Sequence, residues 1–148
     1  MKTLIFADSN KYIHFVSKGW VGKTHDYRQL KEEFPSAFSW FSDASVGLDL
    51  GYQGFANDYD YQEVTQPTKK PKGAELRTDQ KAENTRISSK RIYVENAISG
   101  LKRYRYLSDR LRTHHINVYE TALLVCAGLW NFYLTNTNSE SPCRIFRV

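Results

Sequence analysis

Between Val118 and Leu134 the chain is apolar on most sides of a helix, broken only by Glu120 and Asn131. A helix that is apolar nearly all round has to be buried. The remaining residues must therefore build a body that covers it. The stretch falls short of the ~18 to 20 apolar residues of a membrane span, and no other segment reaches that length. The opening, Met1 to Asp8, carries too short an apolar run for a secretory leader. With 148 residues, 41% hydrophobic and 25% charged, the chain has enough material for one domain and excludes a disordered or low-complexity reading. Two cysteines, Cys126 and Cys143, make no disulfide framework, so a soluble protein of the reducing cytoplasm is expected.

The residues before that helix alternate between strand and helix signals. Thr3–Ala7 and Tyr12–Val16 flank the turn cluster Asp8-Ser9-Asn10 and read as a β-hairpin. Asp26–Phe34 reads as a helix capped by Thr24 or Asp26 and closed by Pro35. Ala44–Asp49 reads as a strand ending at Gly51. Tyr52–Gly73 is mostly loop, with one strand signal at Glu63–Gln66. A long helical pattern runs from Thr78, a plausible cap, to about Arg112, and the apolar helix follows. The polar tail, 135–148, is expected to fray. No repeat and no domain linker interrupts this α/β order.

Charge is unevenly spread. Net charge is +5, yet Lys69 to Arg112 alone holds 13 Lys/Arg against 5 Asp/Glu. A basic segment on a mildly acidic body suits a polyanion such as DNA; a merely solvated helix face is the plainer reading.

On a helical wheel at ~100° per residue, Ser88, Arg91, Glu95 and Lys102 share an arc of roughly 60°. Ile87, Val94, Ala97, Ile98 and Leu101 occupy the neighbouring arc. A carboxylate flanked by cations thus runs along the border of the buried face. It is either half of an i, i+4 ion pair between Arg91 and Glu95 or a group held at a cleft rim. Asp49, at the C-terminal end of an apolar strand, sits where α/β sheets place catalytic groups, though it also suits the turn into Gly51. Together Asp49 and Glu95 have the oxygen chemistry for a Mg²⁺-type cation. Two such ions activate water and clamp a phosphodiester, and Arg91 and Lys102 would then face phosphate oxygens.

Five blocks, in order, carry a family resemblance: Lys23–Tyr27, Leu48-Asp49-Leu50-Gly51-Tyr52-Gln53-Gly54, Lys69-Lys70-Pro71-Lys72, Arg91–Ile98 and Cys126–Phe132. Together they resemble the C-terminal part of a DDE transposase of a bacterial insertion sequence, from about Lys2 to Leu134. The resemblance implies an RNase H-like α/β fold, with residues 1–134 a partial catalytic domain. It implies three acids that bind two Mg²⁺ or Mn²⁺ ions for DNA strand cleavage and transfer. Asp49 matches the second acid and Glu95 the third. Arg91, Glu95 and Lys102 also match a signature of related transposases in which a Tyr stands where this chain has Ser88. By the same resemblance, Lys69, Lys70, Lys72, Arg91 and Lys102 contact DNA at element ends and target, with no membrane partner, and oligomerisation is left open.

In the family, the first acid lies on a strand upstream of the hairpin, and this chain starts after that strand. Asp8 is a poor substitute because it occupies the hairpin turn. The helix-turn-helix region found in many such transposases is absent too. The expectation is a fragment, either a relic, a downstream frame or a mis-called start, with little strand transfer alone and the missing N-terminal part as a partner. The competing reading is a non-catalytic DNA-binding or partner-binding remnant. The adjacent His114 and His115 diverge and share no metal. Cys126 reads as a core residue, and Trp130 and Phe132 as packing against the sheet. No Ser/His/Asp set, phosphate-binding Gly loop or zinc spacing is present.

Overall fold

The computed structural model describes residues 2–73, 75–109 and 115–137, which form two compact units. The first contains described residues up to Thr24 and from Tyr93 onward; the second spans His25–Ile92.

In the first unit, strands β1 (Ile5–Ala7) and β2 (Ile13–Val16) form the expected antiparallel hairpin. Asp8 explains its turn. The Asp8 side chain is almost fully buried, and its Oδ1 accepts the backbone N–H groups of Asn10 and Tyr12 at 2.8 and 3.0 Å. Its Oδ2 lies 3.0 Å from Nε2 of His14. His14 is the extra residue of a bulge, since Phe6 pairs with Phe15 but Ala7 pairs with Ile13. Asp8 is thereby committed to the turn.

Helix α5 (Ile116–Thr137) packs on β2. It extends three residues beyond the expected end at Leu134, and 138–148 lie outside the described residues, as do His114 and Cys143. Leu123, Cys126, Ala127, Trp130 and Leu134 enter a core with Ala7, Ile13, Ala97 and Leu101. Burial pushes the Cys126 thiol pKa up, as befits a core cysteine. The two polar interruptions of the apolar stretch hold the hairpin. Asn131 Oδ1 accepts the N–H of Ile13, and its Nδ2 donates to the Ile13 carbonyl, each at 2.8 Å. Glu120 Oε1 accepts the N–H of Gly19 at 2.8 Å. A buried core helix, apolar on most sides, was expected, yet among the described residues one face of α5 enters the core and the other stays exposed. Leu124, Val125, Leu129 and Phe132 remain exposed, Phe132 to 68%, where packing against the sheet was expected of it. A strip of heptad-like spacing is enough for the single layer beside it. No described helix is long and apolar enough to cross a membrane.

The second unit holds α1 (Asp26–Glu33), β3 (Phe41–Gly47), α2 (Phe55–Asp58) and β4 (Tyr61–Thr65). The N-cap of α1 is His25, whose Nδ1 accepts the Tyr27 N–H at 3.3 Å, in place of Thr24 or Asp26. Asp26 sits instead in the first turn, where its charge suits the helix dipole. Strands β3 and β4 pair in parallel, the crossover passing through a 3-10 turn at Leu50–Tyr52 and α2. β3 starts earlier and stops earlier than expected. Ala44, Val46 and Leu48 are buried in alternation, Phe41 is buried on the far side of a register shift, and Asp49 falls just past the strand. An aromatic cluster fills this unit, with Phe55 stacked on Tyr59 at 4.8 Å and tilted against Phe41 at 5.2 Å.

Helix α3 (Thr78–Leu101) contributes to both units. Thr78 is its first residue rather than its cap, and the Gln80 side chain reaches back to the Arg77 N–H at 3.1 Å. The wheel is reproduced: Ile87, Ala97 and Leu101 are buried, Val94 and Ile98 half-buried, and Ser88, Arg91, Glu95 and Lys102 exposed. The helix ends at Leu101, well short of Arg112. The N–H groups of Arg103 and Tyr104 bond to the carbonyls of Gly100 and Leu101, three residues back, which tightens and stops the helix. A one-turn helix α4 (Arg105–Ser108) follows and packs on α5.

Candidate functional site

The parallel pair decides where Asp49 stands. The N–H of Leu48 bonds to the Thr65 carbonyl at 2.9 Å, which carries the β3–β4 ladder to the last residue before Asp49. Asp49 then leaves the sheet in an extended conformation and caps the 3-10 turn. Its Oδ1 accepts the Leu50 N–H at 2.7 Å, and its carbonyl accepts the Tyr52 N–H at 3.1 Å. Gln66, the residue after β4, donates from Nε2 to the same carbonyl at 2.9 Å. The backbone of Asp49 is thus fixed from two sides while its carboxylate stays about half exposed.

The carboxylate faces a cation. Arg91 Nη2 lies 3.3 Å from Asp49 Oδ2, with both side chains nearly half exposed. The helical spacing alone allowed a pairing of Arg91 with Glu95. Arg91 chooses Asp49 because the turn after β3 brings that carboxylate to the exposed border of α3. Asp49 and Arg91 are therefore brought together within the second unit. Glu95 is exposed on α3 in the first unit, and Lys102 is exposed just beyond the end of that helix, its N–H bonded to the Ile98 carbonyl.

Two further groups surround the turn. A Cβ placed on Gly51 would lie 3.4 Å from Asp26 Oδ2, so the start of α1 abuts the residues that follow Asp49. The Tyr52 hydroxyl pKa is pushed up to about 12, first by burial and then by the negative charges of Asp26 and Asp49. Farther along, Gly54 adopts φ +99° with the Tyr27 ring 3.5 Å from where its Cβ would be, and Tyr27 donates to Asp58, which also pairs with Lys31 at 2.6 Å. Hydrogen bonds from Lys31 and Tyr27 hold the Asp58 carboxyl below its ordinary value. Sequence reasoning missed Gln66, Tyr52 and Asp26 as neighbours of Asp49. Only the parallel strand register brings Gln66 there, and no local spacing signals it.

The raised Tyr52 pKa has a stability consequence. A folded pKa above the unfolded value gives stability that is complete below the ordinary tyrosine value of about 10 and is lost as pH rises through the folded one. Tyr52→Phe is therefore expected to remove one of the late phenolate absorbance steps of an alkaline titration, Tyr27 being shifted up as well by burial and Asp58, and to lessen the loss of stability above pH ~10. An unchanged late step would mean that Tyr52 is not shielded.

The lysines expected on DNA are all solvent-exposed. Lys69, Lys70 and Lys72 follow Thr68, whose N–H and carbonyl are both held by the Asn84 side chain at 2.8 and 3.0 Å. They form no ion pair among the described residues, whereas Arg77, Lys81 and Arg86 are paired with Asp79, Glu75 and Glu83.

The donor chemistry at Asp49 suits a hard divalent ion. A half-exposed carboxylate with one oxygen held by an N–H and the other in a loose ion pair keeps lone pairs for coordination. Mg²⁺ characteristically takes one or two protein carboxylates and completes its shell with water and substrate phosphate. Among the described residues, no three His, Cys, Asp or Glu side chains gather into a group that could hold a metal.

The chain is a mixed α/β protein with an acid just past a parallel strand and an arginine of a long helix beside that acid. The sequence model of the DDE superfamily endonucleases matches residues 1–131. The chain belongs to that family, whose members act on DNA and are generally dependent on divalent metal. No curated protein and no solved structure shows significant similarity to it.

Proposed function

We propose that this chain carries the Asp49 and Glu95 portion of an RNase H-like transposase centre from a bacterial insertion sequence. The observation that supports the reading most is Asp49 itself. It is held rigidly by Leu50 and Gln66 at the end of a parallel strand, with its carboxylate open to solvent. Asp49 and Glu95 would hold Mg²⁺ or Mn²⁺, two ions in the complete site. When bound, such ions lower the pKa of water or a 3′-hydroxyl and neutralise charge on the attacked phosphodiester. Lys69, Lys70 and Lys72 bind the DNA backbone, Lys102 and Arg91 approach phosphates nearer the carboxylates, and Gln66 keeps Asp49 from swinging away. The family pattern calls for three acids and this sequence matches two, Asp49 and Glu95, so on this reading the 148-residue chain by itself binds DNA but transfers strands poorly. Its place of action is the DNA-containing cytoplasm, at the nucleoid.

The alternative is a DNA-binding or partner-binding remnant, favoured by Lys69, Lys70 and Lys72, which are exposed and in no ion pair among the described residues. One pair of assays separates them. Asp49→Asn is expected to remove any Mn²⁺-dependent nicking of supercoiled plasmid without weakening duplex binding. Nicking that survives the substitution refutes the catalytic assignment. Robust nicking by the unaltered chain, lost in the variant, refutes the incomplete-site reading instead. DNA binding insensitive to salt would count against both readings.

A further inference from the structure

The ion pair between Arg91 and Asp49 differs from the other arginine pairs of the second unit. Arg86 grips Glu83 through two bonds of 2.9 and 2.7 Å, Arg77 reaches Asp79 at 2.8 Å, and Arg28 reaches Glu32 at 3.0 Å. Each of those acids is four residues away or nearer, so the pair is local in sequence. Arg91 instead reaches an acid 42 residues back in sequence, at 3.3 Å, longer than the 2.7–2.9 Å of a strong charge-assisted bond. Both partners are nearly half exposed, so the attraction is weak and open to competition by solvent ions. The carboxylate does not depend on it for position, because Leu50 holds Oδ1 and Gln66 and Tyr52 hold the Asp49 carbonyl.

We propose that Arg91 is an exchangeable counter-ion: it occupies Asp49 until a divalent cation takes that carboxylate, and the released guanidinium then binds a DNA phosphate. The inference rests on the reading of Asp49 as a metal ligand. A cation and a guanidinium that compete for one carboxylate exclude each other, whereas a phosphate that claims the guanidinium frees the carboxylate. Divalent metal and DNA therefore strengthen each other's binding, and by the same factor in each direction.

The test is Mn²⁺ binding to the full 148-residue chain without DNA, followed by electron paramagnetic resonance of the free ion. Removing an exposed competitor of this strength is worth about a two- to fivefold change in affinity. Arg91→Gln is expected to bind Mn²⁺ tighter by that factor, and Arg86→Gln, which removes the same charge from the same helix but not from Asp49, to leave affinity unchanged. Equal affinities for Arg91→Gln and the unaltered chain overturn the proposal, as does an equal gain in Arg86→Gln, which would reduce the effect to net charge. Asp49→Asn is expected to weaken Mn²⁺ binding; if it does not, the metal-ligand reading itself fails, an outcome distinct from failure of Arg91→Gln alone. With Ca²⁺ present, the salt dependence of duplex binding should steepen by about one phosphate contact, a slope change of ~0.9, and Arg91→Gln should abolish that increment. An increment that persists in Arg91→Gln overturns the transfer to phosphate.

Discussion

Gly100→Ala is expected to destabilise the first unit by about 3 kcal/mol, at the upper end of what overpacking costs. A Cβ on Gly100 would lie 2.4 Å from Cζ3 of Trp130 and 2.5 Å from two further ring atoms. Distances this short require one of the two helices or the ring to move. The ring is poorly placed to yield. It is 5% exposed, its Nε1 donates to the Lys11 carbonyl at 2.9 Å, and Tyr133 stacks beside it at 5.7 Å. Intrinsic propensity pulls the other way, since alanine is favoured over glycine inside a helix by about 1 kcal/mol. The sign of the measured change therefore decides between packing and propensity. Urea unfolding followed by circular dichroism would give the number. A variant as stable as the parent would show that α3 and α5 do not approach this closely. Trp130→Leu placed on top of Gly100→Ala should recover part of the loss relative to its own single-variant cost, because the two substitutions act on one contact.

The second large effect concerns DNA. Replacing Lys69, Lys70 and Lys72 together by glutamine should lower the slope of log affinity against log salt by about 2.7, the value for three phosphate contacts, and cut duplex affinity at low salt by a factor on the order of 10² to 10³. The three lysines are exposed and unpaired among the described residues, so each is free to release a counterion from DNA. The companion triple change at Arg77, Lys81 and Arg86 removes equal charge but from residues that already face Asp79, Glu75 and Glu83. It should cost far less. Fluorescence anisotropy over a range of salt concentrations measures both. A slope unchanged in the first variant would move the DNA surface elsewhere, and equal losses in the two would mean that net charge, not this run of lysines, governs binding.

Much of this was legible in the residues themselves, because the signals involved are local. The Asp8-Ser9-Asn10 turn, the helix that ends before Pro35 and the amphipathic border of α3 all follow from spacing, turn chemistry and hydrophobic periodicity over short stretches. The order of five sequence blocks was enough to place the chain beside the DDE transposases, and the DDE endonuclease family match over residues 1–131 agrees. Asp49, Glu95 and Arg91 stand in those blocks, and Lys102 was named from the helical wheel and the transposase signature. Their roles toward metal and DNA remain the proposal argued above.

Other features depended on what lies far away along the chain. Asn131 and Glu120 looked like flaws in an apolar helix, yet they satisfy the backbone of residues more than 100 positions earlier. The end of α3 at Leu101 was invisible because nothing in the periodicity changes there; the three-residue backbone bonds at Arg103 and Tyr104 stop the helix. Arg91 had Glu95 at helical spacing but pairs with Asp49, since the turn following β3 delivers a carboxylate to the same border. Gln66 reaches Asp49 only because β3 and β4 run parallel. Sequence by itself determined the elements and the chemistry available to them, since propensity and periodicity act over a few residues. Tertiary structure alone decided which charges and backbone groups meet, because long-range packing sets those distances.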